Sequence, residues 1–365
     1  MKNTYKLKNT NERMDREKEE KVISTSTLKK REKFERRLVK YNDLPEYLQD
    51  NECILDYYRC EWPVKDAFLS VFSLHNESLN VWTHLGGFLI FLGLTVMSCV
   101  ETTELGGFIN GFSRRKGSES LMGMKMKSQE FNVSDTHMLN DVHLGHISQE
   151  STFHMHKQGG FEIIPTWPWF VFLSGAMGCL VCSSLSHLLA CHSKHFNLFF
   201  WRLDYAGISL MIVSSFVAPI YYVFYCNPLA RFVYISTISV VGILAIITLL
   251  TPVLSTPRYR AFRATLFFII GISGVIPAVH AVSIHWGSSH IFASIGLELL
   301  MAVLYVAGVA FYVTRVPERW KPGAFDIAGQ SHQIFHVFVV LAALAHSAAI
   351  LVVLDFRWKS PTCSS

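Results

Sequence analysis

The chain has 365 residues, of which 50% are hydrophobic and 17% charged, with a formal net charge of +5. Its apolar residues gather into runs of about twenty, long enough to cross a bilayer, so an ordinary soluble domain is excluded. The basic balance then points to anionic lipid rather than nucleic acid.

The first forty residues carry 14 Lys or Arg against 7 Asp or Glu and contain no apolar signal-peptide core. They read as a disordered basic cytosolic tail, which leaves the first span to act as the insertion signal. A juxtamembrane segment, 41–77, follows. Within it WPVKDAFLSVFS spaces Val64, Phe68, Val71 and Phe72 along one helical face, which predicts a short amphipathic helix lying in the interface.

Seven apolar runs come next, at 79–100, 167–190, 203–225, 232–251, 264–283, 291–313 and 331–354. A spanning segment must satisfy its own backbone in lipid, so each is expected to be a helix. The fold class is therefore all-α: an integral seven-helix transmembrane bundle over 78–356, with a short tail at 357–365. Gly86, Gly87, Gly207 and Gly271 are expected to let helices approach closely, and Pro219 and Pro277 to kink their spans.

Residues 101–163 lack a sustained apolar period and read as a flexible insertion on the non-cytosolic side. Asn132 in NVS is there a glycosylation acceptor by pattern. The histidines of this stretch, His137, His143, His146, His154 and His156, read as a solvated loop rather than a metal site. The eight cysteines show no paired spacing of a disulfide framework, and Cys179 and Cys182, one turn apart, read as packing residues.

Seven spans put the amino terminus on the same side as the second, fourth and sixth loops. Leaving aside the leader and the long first loop, whose charge weighs little in setting topology, that side carries Lys194, Arg202, Arg258, Arg260, Arg263, Arg315, Arg319 and Lys321, while the other has only Arg231, Arg357 and Lys359. The positive-inside rule then predicts a cytosolic amino terminus.

This topology brings four polar residues to one depth. His187 closes the second span in CSSLSHLLACH, Asp204 opens the third in RLDYAGIS, and His332 and His336 open the seventh in QSHQIFH. Strongly polar groups in hydrocarbon need partners, and a divalent metal is the obvious hub. Imidazoles four residues apart on a helix grip one ion from the same face. Three histidines leave a fourth tetrahedral position open, the pattern of a zinc site that admits water. Asp204 would either hold that water and take its proton or be a further ligand. Ser183, one turn before His187, would bond the water or a substrate carbonyl, or simply pack. His84 is read as a hydrogen-bonding packing residue, and His346, about 15 Å deeper than His336, as out of reach.

Several stretches carry a resemblance. SLHNESLNVWTHLGGF, SHLLACHS, LDYAGISLMI, YYVFYC and RVPERWKPGAFDIAGQSHQIFHV occur on the expected helices and resemble the signatures of the progestin and adipoQ receptor family, from about Tyr41 to Phe356. The insertion and YLQDNECILDYYRCEWP resemble its plant heptahelical branch. The resemblance implies zinc held by residues matching His187, His332 and His336, with Asp204 beside the water and Ser183 nearby. It further implies a signalling receptor, in hormone or sugar response for the plant branch, and for the adiponectin receptors a ceramidase-like hydrolysis of lipid amides.

Two functions are carried forward, a receptor biased by a lipid, sterol, sphingolipid or protein ligand, and a zinc-dependent intramembrane lipid-amide hydrolase. A proton or ion transporter is disfavoured, because no buried acidic companion to Asp204 is read deeper in the spans. Plasma membrane and endomembrane both remain open as its location.

Overall fold

The computed structural model describes residues 35–102, 164–360 and 362–363. The basic leader before residue 35 and nearly all of the 101–163 insertion, with Asn132 and its five histidines, lie outside the described residues. Among the described residues the secondary structure is helical, with one isolated bridge between Val39 and Tyr58.

Before the first span runs α1 (Val64–Leu69), continued by a 3-10 turn at Ser70–Phe72. Phe68 and Phe72 on this stretch are 55% and 82% exposed. The spans are α2 (Ser78–Thr102), α3 (Trp167–Leu189), α4 (Lys194–Val223), α5 (Pro228–Leu249), α6 (Arg260–Ile272) with α7 (Val275–Ile284), α8 (Ser289–Thr314) and α9 (Ser331–Lys359). Seven helical stretches are thus long and apolar enough to cross a membrane, the fifth being α6 and α7 together. Large apolar side chains such as Leu89, Ile243, Phe268 and Val303 cover the outside, as lipid contact requires.

The helix ends are set by local chemistry. Asn227 accepts from the Ala230 N–H ahead of Pro228, which fits the first turn of α5 because its missing N–H would have no partner there. Gln330 and Gln333 form a reciprocal capping box that starts α9. The fifth span breaks at Ser273 and Gly274, four residues before Pro277, whose ring cannot accept that carbonyl inside a continuous helix. α4 begins nine residues before the apolar run at Leu203, because Ser193 caps a polar first turn that hydropathy alone does not mark.

Over their most apolar stretches α3, α4 and α9 are 56%, 50% and 50% buried, against 17% to 22% in the other four spans. These three helices form the inner layer, and they are the ones that carry His187, Asp204, His332 and His336. Around them, α2 packs on α3 and α9, α5 on α4, and α8 along α9. Phe172, Leu173, Leu180, Tyr222 and Ile350 fill the core.

The α3–α4 seam depends on small residues, though not on all those expected. A Cβ on Gly207 would lie 3.2 Å from the Cys179 Cα, and one on Gly87 2.7 Å from Val340, whereas Gly86 and Gly271 face open space. The tightest point is Gly175, where a Cβ would sit 2.5 Å from the Ser214 Cβ. Gly175→Ala is therefore expected to push α4 away from α3 and cost about 1 kcal/mol or more, read as a lower melting temperature of the purified protein. Gly86→Ala serves as the silent control.

Contrary to the sequence expectation, two cysteines pair. Cys226, just after α4, bonds Cys363 in the tail after α9, a separation of 137 residues. Such a distance leaves no spacing signature, and the pairing exists only because α4 and α9 both end on the face opposite His187. Nearby, Arg357, buried rather than a loop charge, donates to the Tyr222 and Val223 carbonyls that end α4.

Candidate metal centre

His187 sits in the last turn of α3 and His332 and His336 in the first two turns of α9. One nitrogen from each lies within 4.8 Å of the others. The ring centroids form a nearly equilateral triangle, 4.9, 4.9 and 4.7 Å on a side. His187 and His336 are buried and His332 is half-buried. The chain thus brings together imidazoles 149 positions apart by packing α9 on α2 and α4, which both pack on α3.

A layer of hydrogen bonds behind the histidines fixes which nitrogen faces the centre. His187 Nδ1 is 2.7 Å from Glu77 Oε2, and a carboxylate accepts, so this nitrogen carries the proton and Nε2 is left with a lone pair. His336 Nδ1 is 3.1 Å from the Asn80 carbonyl, which imposes the same tautomer. Asn80 also donates to Glu77 at 2.6 Å, tying the two supports into one unit. Glu77, Asn80, Thr83 and His84 repeat at helical spacing in NESLNVWTH, a polar stripe at the mouth of an apolar span. That stripe is the signal in the sequence that marks Glu77, Asn80 and Thr83.

The donor set fits zinc. His187 Nε2 is buried without a hydrogen-bond partner, an orphaned lone pair that is costly at this depth unless a cation receives it. Neutral nitrogen donors held by carboxylate and carbonyl partners are the usual surroundings of this ion.

Asp204 is buried in α4, with Ser183 beside its carboxyl and the Arg263 guanidinium the cationic group that acts on it. It does not belong to the set of ligand atoms within 4.8 Å and stands beside the triangle rather than in it. His84 packs, as expected, by stacking on His336 with centroids 3.6 Å apart, but its ring nitrogens have no hydrogen-bond partner. His346 is far from the cluster and bonded elsewhere. A second acidic side chain lies inside the spans at Glu298 in α8, half-buried rather than buried like Asp204.

The juxtamembrane segment braces both jaws of the triangle. Arg59 is 3% exposed and donates to the His187 and Leu188 carbonyls at 2.7 and 2.9 Å, capping α3 at the ligand itself. Asn51 donates to Glu318, a fully buried carboxylate that accepts from the Ser331 N–H at 2.8 Å and so caps α9 one residue before His332. A cavity of about 100 Å³ lies between this segment and the cluster, lined by Asn51, Arg59, Glu77, Arg260, His187 and His332 among others.

The sequence pattern of the family described as haemolysin-III related matches residues 72–347, which include every residue of this centre from Glu77 to His336. The chain belongs to the haemolysin-III-related family. It is 58% identical to heptahelical transmembrane protein 3 of Arabidopsis thaliana over 90% of both chains. Identity to the rice heptahelical transmembrane protein ADIPOR1 is 46%, covering 88% of this chain and 85% of that one. The adiponectin receptor protein of Drosophila melanogaster is 35% identical, covering 89% of this chain and 61% of its own length. This member of the haemolysin-III-related family is thus a multi-pass membrane protein of the adiponectin and progestin receptor type.

Proposed function

We propose that this protein is a zinc-holding signalling receptor, with its amino terminus in the cytosol, acting in hormone or nutrient (sugar) response. The reading is carried by the convergence of His187, His332 and His336 with their outer partners. Zinc held there would pin the ends of α3 and α9, so that a lipid, sterol, sphingolipid or protein ligand biases their packing. The orientation is supported by the Cys226–Cys363 bond, since disulfides persist in oxidising compartments, and by the basic loops on the histidine side. Exposed Phe68 and Phe72 support an interfacial placement of α1.

A second reading, a zinc-dependent hydrolase of lipid amides, is favoured by one observation: Asp204 and Ser183 are buried together near His187, yet Asp204 is outside the ligand set. The metal would supply a water made acidic enough to lose its proton near neutral pH, at a pKa of about 7. Asp204 would take that proton and return it to the departing amine, with Ser183 holding the carboxylate in place. Glu77 would keep the His187 Nδ1 proton where it is.

Purified protein assayed on ceramides and other lipid amides, with Asp204→Asn alongside, separates the readings. For the hydrolase the expected result is turnover by wild type that falls about 10²–10⁴-fold in Asp204→Asn while zinc is retained. Zinc without turnover on any lipid leaves the receptor alone. Protein that binds no zinc removes both.

A further inference from the structure

Pro219 lies inside α4 and has no N–H, so the carbonyl of Ser215, one turn earlier, loses its helical partner. An unpaired carbonyl at membrane depth costs several kcal/mol. The side chain that answers it comes from α9: His346 Nε2 is 2.9 Å from the Ser215 oxygen. On its other side His346 Nδ1 is 2.9 Å from a carboxylate oxygen of Glu298 in α8. His346 is 4% exposed, and the Glu298 side chain 24%.

The two contacts fix a proton count. A carbonyl oxygen only accepts, so Nε2 must carry a hydrogen. A neutral imidazole then presents a bare lone pair on Nδ1, and an ionised carboxylate also only accepts. Two lone pairs facing each other at 2.9 Å repel, so the observed contact closes only when one further proton sits on Nδ1 or on the carboxyl. We propose that Glu298 and His346 form an intramembrane proton-binding site, separate from the histidine triangle, whose proton fastens α8 and the proline-bearing part of α4 to α9.

The surroundings leave this proton to the pair. α4 presents the Ser215 carbonyl, and α3 presents the Phe172 ring, edge-on at 4.9 Å. The next titratable side chains are Tyr305 on α8, in electrostatic reach of Glu298, and Cys179 on α3, which acts on Tyr305. His346 is ten residues beyond His336, about 15 Å along α9, so the site does not share the metal ligands. Because α8 packs along α9 and only lightly on α6 and α7, loss of the proton would loosen α8 first.

The test is the melting temperature of the full-length, zinc-loaded protein from about pH 5 to about pH 10, a range covering imidazole's ordinary value and the displacement buried groups reach. The folded pair binds a proton that the unfolded chain has already released, so its stabilisation is present at low pH and lost as pH rises through the folded-state midpoint. For one proton the folding equilibrium changes by about tenfold per pH unit across that window. In Glu298→Gln the amide N–H donates to Nδ1 of a neutral His346, keeping the contact without a titrating proton. The expected result is a melting temperature that declines with pH in wild type and stays flatter in Glu298→Gln, with equal zinc content. An identical pH profile in the two proteins overturns the proposal, and loss of zinc from Glu298→Gln overturns its independence from the metal. Should Glu298→Gln fail to fold, infrared difference spectra of wild type and His346→Gln, each taken between the two ends of the range, decide the matter. An imidazole or carboxyl proton-loss band in wild type that His346→Gln lacks supports the site, and identical spectra overturn it.

Discussion

His336→Ala is expected to leave the purified protein without zinc, where wild type retains about one ion per chain. The histidine supplies one corner of a triangle whose sides are all below 5 Å, and the remaining His187 is held through Nδ1 by Glu77, so it cannot swing to cover the gap. Two imidazoles do not hold zinc against competition from water and chelators, and the affinity should fall by more than the 10–100-fold typical of changes behind the ligands, or about 1.4–2.7 kcal/mol. His187→Ala and His332→Ala should behave alike, while His346→Ala should keep its zinc. Metal analysis by mass spectrometry of the four proteins checks this. Full zinc in His336→Ala would refute the assignment of the centre.

Glu77→Gln is expected to weaken zinc by about 10–100-fold while leaving the helices assembled. The carboxylate accepts from His187 Nδ1 at 2.7 Å and from Asn80 at 2.6 Å, so it sets both the tautomer of one ligand and the position of the carbonyl that sets another. An amide can present its oxygen to His187 or its nitrogen to the same atom, and the second choice would turn the protonated nitrogen toward the metal. Competitive titration with a zinc chelator measures the loss, and circular dichroism verifies the helix content. Unchanged affinity would mean that the carboxylate is packing against the ligand rather than orienting it.

Most of the fold is written in hydropathy. The seven spans and the shared depth of His187, Asp204, His332 and His336 follow from the length of apolar runs and from which end of each helix a residue occupies. The parts that did not follow are those made by contacts between segments remote in sequence. Cys226 and Cys363 meet because the ends of α4 and α9 lie side by side, and no spacing encodes that. Arg59 resembles any juxtamembrane basic residue until its guanidinium is found against the last carbonyls of α3. Glu298 is a single charge in a long apolar run, and its meaning depends on a proline in another helix. The glycines divide for the same reason: Gly175 and Gly207 face a neighbouring backbone, whereas Gly86 and Gly271 do not, and their own sequence neighbours do not distinguish them.

The strap formed by Asn51 and Arg59 reaches the two helix ends that hold the imidazoles, one through the carbonyls of His187 and Leu188 and the other through Glu318 and Ser331. It behaves as a tie rod between the anchor points of the clamp. A shortened protein that starts at the first membrane helix would lose that rod, leaving the last carbonyls of α3 without Arg59 and the Glu318 carboxylate without Asn51. A displacement of residues 51–59 is thereby felt at both corners of the imidazole triangle at once.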